Sequence, residues 1–128
     1  MSIKFNVQGI GNPQDANAPK KFYARPISSG EITLEDLASD ISHASSINEA
    51  DVMAVLYSLV REIPRNLSHG YIVRLGGLGS FRLGTGSLGS DTAEEVTAAN
   101  IHRKRVLFHN GKRIKNALSS LTFQKNES

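Results

Sequence analysis

The stretch Tyr71-Ile72-Val73-Arg74-Leu75-Gly76-Gly77-Leu78-Gly79-Ser80-Phe81-Arg82-Leu83 decides how this chain is read. Tyr, Ile and Val suit a pleated, half-buried surface. Three glycines around one leucine allow positive φ and close backbone approach, which a tight hairpin needs. The reading predicts two antiparallel strands with Phe81 turned into a core. Arg74 and Arg82 are polar positions among apolar ones and are expected to point outward.

Upstream, Thr33 is a good N-cap, and Leu34, Leu37, Ala38 and Ile41 follow at helical spacing. Asn48 caps a second helix, with Asp51 three residues on. Val52, Val55, Leu56, Leu59, Val60 and Ile63 form a stripe too broad for a lone surface helix, so this helix is expected at the centre of the core. Pro64 predicts a kink or a 3₁₀ ending. A helix-turn-helix reading with the second helix in a DNA groove is disfavoured, because its leading end carries Glu49 and Asp51, which phosphate repels. Further back, Ile3, Phe5 and Val7 alternate with Lys4 and Asn6 as a half-buried strand. Gly9 to Pro19 is a loop by composition, and Lys20 to Pro26 is a second strand stopped by Pro26.

Downstream, Gly84 to Gly89 matches G-x-G-x-x-G. The dinucleotide fingerprint requires a helix opening inside the motif and an acidic residue about twenty positions on. Neither is expected here, so a flexible, protruding β-arm explains the glycines better. Asp91, Glu94 and Glu95 would lie near its tip, with Val96 to Asn100 returning. Ile101 to Phe108 is the next strand. Val106 and Phe108 share a face with Lys104; Arg103 and Arg105 share the other with Ile101 and Leu107. Asn110 is expected to cap a last helix, Gly111 to Leu121, with Lys112, Arg113 and Lys115 in its first turns. Cations there oppose the helix dipole, a cost that points to selection for binding or to a nearby carboxylate. The amide donors at that end would add to phosphate attraction.

With 128 residues the chain has room for one domain, and 39% hydrophobic and 6% aromatic content without Trp makes a thin core. Dimerisation is a common remedy. No Cys is present, which excludes disulfides and thiolate metal sites and fits a reducing compartment. No apolar run reaches membrane-spanning length, and the N-terminus carries no signal-peptide block, so a soluble, intracellular protein is expected. The net charge of +3 hides segregation. Ser28 to Val60 holds six acids and no Lys or Arg; most of the cations lie from Arg61 onward. That asymmetry points to a polyanion partner. The histidines (His43, His69, His102, His109) lack metal-ligand spacing, and Glu35, Asp36 and Asp40 read as a solvated helix face. No enzyme activity, cofactor, metal or small-molecule substrate is expected.

The order helix, helix, V-R-L-G-G-L-G-S-F, arm, strand, G-K-R-I-K-N-A-L resembles the HU/IHF family of bacterial histone-like nucleoid proteins. Val73 to Phe81 is similar to the family's V-x-L-x-G-x-G-x-F segment, and Gly111 to Ala117 to its G-K-x-L-K-x-A closing helix. Met1 to Pro26 resembles the extension of longer, Bacteroides-type HU-like proteins. The resemblance implies an α+β fold: a two-helix base, a three-stranded antiparallel sheet with a protruding arm, and a C-terminal helix. With the N-terminal β-hairpin added, the expected division is residues 1–30 as extension, 31–122 as the HU-like DNA-binding domain and 123–128 as a disordered tail. It further implies a nucleoid-associated cytoplasmic homodimer that binds double-stranded DNA. Arg74, Lys112 and Lys115 carry over as phosphate contacts. The charge map adds Arg82, Arg103, Lys104, Arg105 and Arg113. Phe81 and Phe108 are the expected dimer core. The family's arm proline, which wedges between base pairs, has no counterpart: Pro13, Pro19, Pro26 and Pro64 all lie outside the arm. Leu88 is a weak substitute wedge, more readily packed on the arm base. With acids in place of the family's arm arginines, the competing reading is an HU-fold interaction or structural module whose DNA binding is weakened or lost.

Overall fold

A computed structural model describes residues 2–127. Backbone contacts divide the chain into two units, Met1–Thr33 with Ala117–Ser128, and Leu34–Asn116.

In the first unit, β1 (Ile3–Ile10) and β2 (Lys21–Pro26) pair antiparallel, from Phe5 opposite Pro26 to Ile10 opposite Lys21. The loop between them is held by its own side chains: Asn12 Oδ1 accepts from the Gln14 amide and Asp15 Oδ1 from that of Asn17. The expected disordered tail is corrected here. Phe123–Lys125 form a strand, β6, parallel to β1, with Ile3 opposite Phe123. Backbone bonds from Ile3 to Thr122 O and from Asn126 to Phe5 O close the pairing. The sheet order is β2-β1-β6. Pleating puts Ile3, Phe5, Val7, Phe22, Ala24 and Phe123 on one face. Lys4, Asn6, Gln8, Ile10, Lys21, Tyr23, Arg25 and Gln124 take the other.

In the second unit, α1 (Leu34–His43) packs with α2 (Glu49–Ser68). Asn48 caps α2 as expected, its Oδ1 accepting from the Asp51 amide at 2.9 Å. Pro64 does not end the helix in a 3₁₀ turn; the α-helix runs on to Ser68. The chain then forms β3 (Val73–Arg74), β4 (Gly79–Ser87) and β5 (Ile101–Asn110), in sheet order β3-β4-β5. The hairpin expected from the VRLGGLG stretch is present, closed by Leu75 N–H to Gly79 O at 2.8 Å. Helix α3 spans Lys112–Ser119, shorter than expected at both ends.

Glycine is required where α3 meets the hairpin turn. Gly79 has φ +147°, and a Cβ there would meet the His109 carbonyl and the Phe108 ring. At Gly111 a Cβ would strike the Gly77 carbonyl and the Gly79 nitrogen. The gap lets Gly111 N–H reach Leu78 O and Arg113 N–H reach Gly77 O, each at 2.9 Å. The first α3 amides are thus held by turn carbonyls.

The expected arm is a long hairpin with a compact tip. Past Ser87 the chain makes two 3₁₀ turns, Ala93–Glu95 at the expected tip and Ala98–Asn100 within the expected returning segment Val96 to Asn100. Asn100 Nδ2 donates to Leu88 O and Ser90 Oγ, pinning the tip to its base. Leu88, expected to pack on the arm base, is 57% exposed.

The core is thin. Among the described residues only Ala38, Val52 and Leu67 are buried hydrophobics. The α2 stripe expected at a core centre is largely uncovered: Val55 is 67% exposed, and Leu59 and Val60 are exposed as well.

Candidate nucleic-acid interface

Strand pairing decides which basic residues act together. Arg74 lies opposite Ser80, and Ser80 opposite His109. Arg82 pairs with Leu107 and Gly84 with Arg105. Residues directly opposite share a face, so Arg74, Arg82, Arg105 and His109 stand together. A shallow cleft of about 380 Å³, lined by Arg74, Ser80, Arg82, His109 and the Gly76–Gly79 turn, opens on this face. The other face holds Val73, Phe81, Leu83, Val106 and Phe108, with Lys104 opposite Thr85 among them. The sequence-predicted set is therefore split, Lys104 lying on the aromatic face.

Arg103 is set apart in another way. Its φ is +54°, and the pairing register shifts there, between Thr85 and Gly86. This is a β-bulge, which bends the strand and re-aims side chains. It corrects the simple alternation that grouped Arg103 with Arg105. It also brings His102 opposite Gly86, where the imidazole fills the space a Cβ would take.

Lys112, Arg113 and Lys115 are exposed on α3. The Arg113 stem lies along Gly77, its Cγ 3.0 Å from where a Cβ would stand, so this cation is anchored beside the hairpin turn. Arg113 donates its own amide to Gly77, so that donor is not open to phosphate as expected. Among the described residues the ion pairs are Glu62 with Arg65 at 2.5 Å and with Arg61 at 3.9 Å, and none of the eight candidate cations takes part in one.

Arg82 is the most constrained member. It is half-buried, and its Nε is buried without a hydrogen-bond partner among the described residues. A guanidinium N–H left in that state is costly. Sequence reasoning named Arg82 but missed His109 and Ser80 beside it, because only strand register reveals their shared face. Phe81 and Phe108, the expected dimer core, face each other across β4 and β5 with ring centroids 4.9 Å apart, tilted by 53°. Phe81 is half-buried and Phe108 is 40% exposed. No group of acids and histidines among the described residues could hold a metal ion. Among the described residues no helix is long and apolar enough to cross a membrane.

A family model described as an HU domain fused to a winged helix-turn-helix, an immunoglobulin-like or a glycine-rich motif matches residues 1–125. The chain belongs to this HU-HIG family. Among solved structures it is similar to a candidate DNA-binding protein from Bacteroides vulgatus ATCC 8482, at 16% identity and a TM-score of 0.59. The match covers 98% of this chain and 49% of that one, so this chain spans about half its length. At that identity the likeness carries the fold, an α+β arrangement of HU-like type. No curated protein matches.

Proposed function

We propose that this protein is a sequence-tolerant, DNA-binding architectural protein of the nucleoid, acting as a homodimer on double-stranded DNA. The observation that carries the reading is the register placing Arg74, Arg82 and Arg105 on one face without a carboxylate partner among the described residues. Those arginines hold phosphate oxygens. Lys112, Arg113 and Lys115 form a second phosphate-binding group, while Arg103 and Lys104 act at the arm root. Contacts of this kind position the duplex and do not read bases. The exposed face carrying Phe81 and Phe108 is covered by the second subunit. The test is titration of a labelled random duplex at two ionic strengths. Affinity falls steeply with salt if phosphate contacts dominate; no binding at low salt overturns the proposal.

One observation favours a second reading, a protein-interaction module. The arm tip carries Asp91, Glu94 and Glu95 and neither proline nor cation. Pull-down from nuclease-treated lysate separates the two: a partner kept without nucleic acid supports the module, and loss of all partners supports DNA.

A further inference from the structure

We propose that β2 carries a second nucleic-acid site, separate from the arginine face, which takes an unpaired strand and stacks its bases on Tyr23. Tyr23 is 49% exposed on an edge strand, so no neighbouring strand crowds it on that side. It stands as the wall between two adjoining clefts. One, of about 440 Å³, is lined by Ile10, Lys20, Lys21 and Tyr23 with the loop before them. The other, of about 300 Å³, is lined by Ile10, Tyr23 and Arg25 with their neighbours. No carboxylate lines either cleft.

Lys21, Tyr23 and Arg25 alternate along β2 and so share a face. Alternate strand residues lie about 6.4–6.8 Å apart, a step comparable to the phosphate repeat of an extended single strand. Cation, aromatic ring and cation thus follow one another at the period of the ligand. The rest of this face is mostly polar or basic, with Lys4, Asn6 and Gln8 beside them and Ile10, opposite Lys21, as its apolar member. Aromatic platforms in basic grooves bind unpaired strands because every base offers a π-face, which a duplex keeps covered. The chemistry recognised is a base plus its flanking phosphates, common to single-stranded DNA and RNA.

The test uses the full chain with labelled short oligo(dT), oligo(U) and a random duplex, read by fluorescence anisotropy. At least one oligonucleotide binds, and the tighter of the two identifies the source. Tyr23→Ala weakens that binding about ten-fold, while Tyr23→Phe retains it. Lys21→Gln with Arg25→Gln lowers the log–log salt slope by about 1.4, from about 0.7 per contact on a single strand. All three leave duplex affinity unchanged, and Arg74→Ala with Arg82→Ala leaves Tyr23-dependent binding unchanged. Absence of oligonucleotide binding, or binding unaltered in a folded Tyr23→Ala protein, overturns the proposal. Equal loss of duplex binding in Tyr23→Ala overturns the separateness of the site. A chain that binds oligonucleotide through Tyr23 and fails to bind duplex sinks the duplex-binding reading and leaves this one standing.

Discussion

Two glycines show how single residues fix this molecule. At Gly79 the backbone is left-handed and a methyl group would press on the His109 carbonyl; at Gly111 it would press on the Gly77 carbonyl. In both cases the obstacle is main chain, which cannot step aside as a side chain can. Gly79→Ala is therefore expected to cost about 1–3 kcal/mol or more in urea unfolding, from backbone strain with steric overlap added. Gly89 is the control. A Cβ there meets nothing within 4 Å, so Gly89→Ala should be neutral or stabilising by up to about 1 kcal/mol. Glu62 offers a weaker, pH-dependent test. Hydrogen bonding from Arg65 holds its carboxyl below the usual range. A depressed folded-state value contributes stability above the unfolded pKa, and that stability is lost as pH falls through the folded one. Melting temperatures of the natural protein and Glu62→Gln should differ slightly at neutral pH and converge in acid. A gap that widens in acid would contradict the sign. The pair is solvent-exposed, so the difference is small.

At the scale of elements, local chemistry and long-range pairing part company. The hairpin, the Asn48 cap and both base helices were legible because each is specified within a few residues by glycines, capping side chains or periodicity. Strand β6 was not, since its partner lies 120 residues away, as the Ser2–Thr122 hydrogen bond shows, and its three residues carry no period. The Arg103 bulge was hidden too, because alternation assumes an unbroken register. The α2 stripe was read correctly as apolar, but periodicity says which face wants cover and not what covers it. Of the candidate cations the sequence supplied the residues; the division into an arginine face, an α3 group and Lys104 among the aromatics came from register. That division yields a prediction. Arg105→Ala removes a member of the arginine face and should lower the duplex salt slope by roughly 0.9, weakening all sequences alike. Lys104→Ala, on the aromatic face, should change the slope less. Equal effects would argue against the face assignment. Replacing Asp91, Glu94 and Glu95 by their amides should tighten non-specific duplex binding, because the arm tip no longer repels phosphate; unchanged affinity would place the tip away from DNA.

For the molecule as a whole, the decisive quantity is apolar surface without cover. A chain whose buried hydrophobics are Ala38, Val52 and Leu67 among the described residues has little enclosed core, yet α2 and the sheet display Val55, Leu59, Val60, Val106 and Phe108 to solvent. Exposed patches on this scale mark interaction surfaces. In the proposed homodimer these patches are buried between subunits, and folding and association become one equilibrium. The melting temperature should then rise with protein concentration, as mass action requires. Phe81 and its ring partner Phe108 are the sharpest probe, because in a dimer they pass from partly exposed to enclosed. Truncating an enclosed Phe costs about 3–5 kcal/mol, a large share of the roughly 5–15 kcal/mol that holds a small domain together. Phe81→Ala should therefore shift sedimentation toward monomer and lower the melting temperature together. Leu83→Ala, on the same face but without a ring partner, should do so less. An intact Phe81→Ala dimer of unchanged stability would remove this aromatic face from the interface and leave the exposed α2 stripe as the surface on which subunits meet.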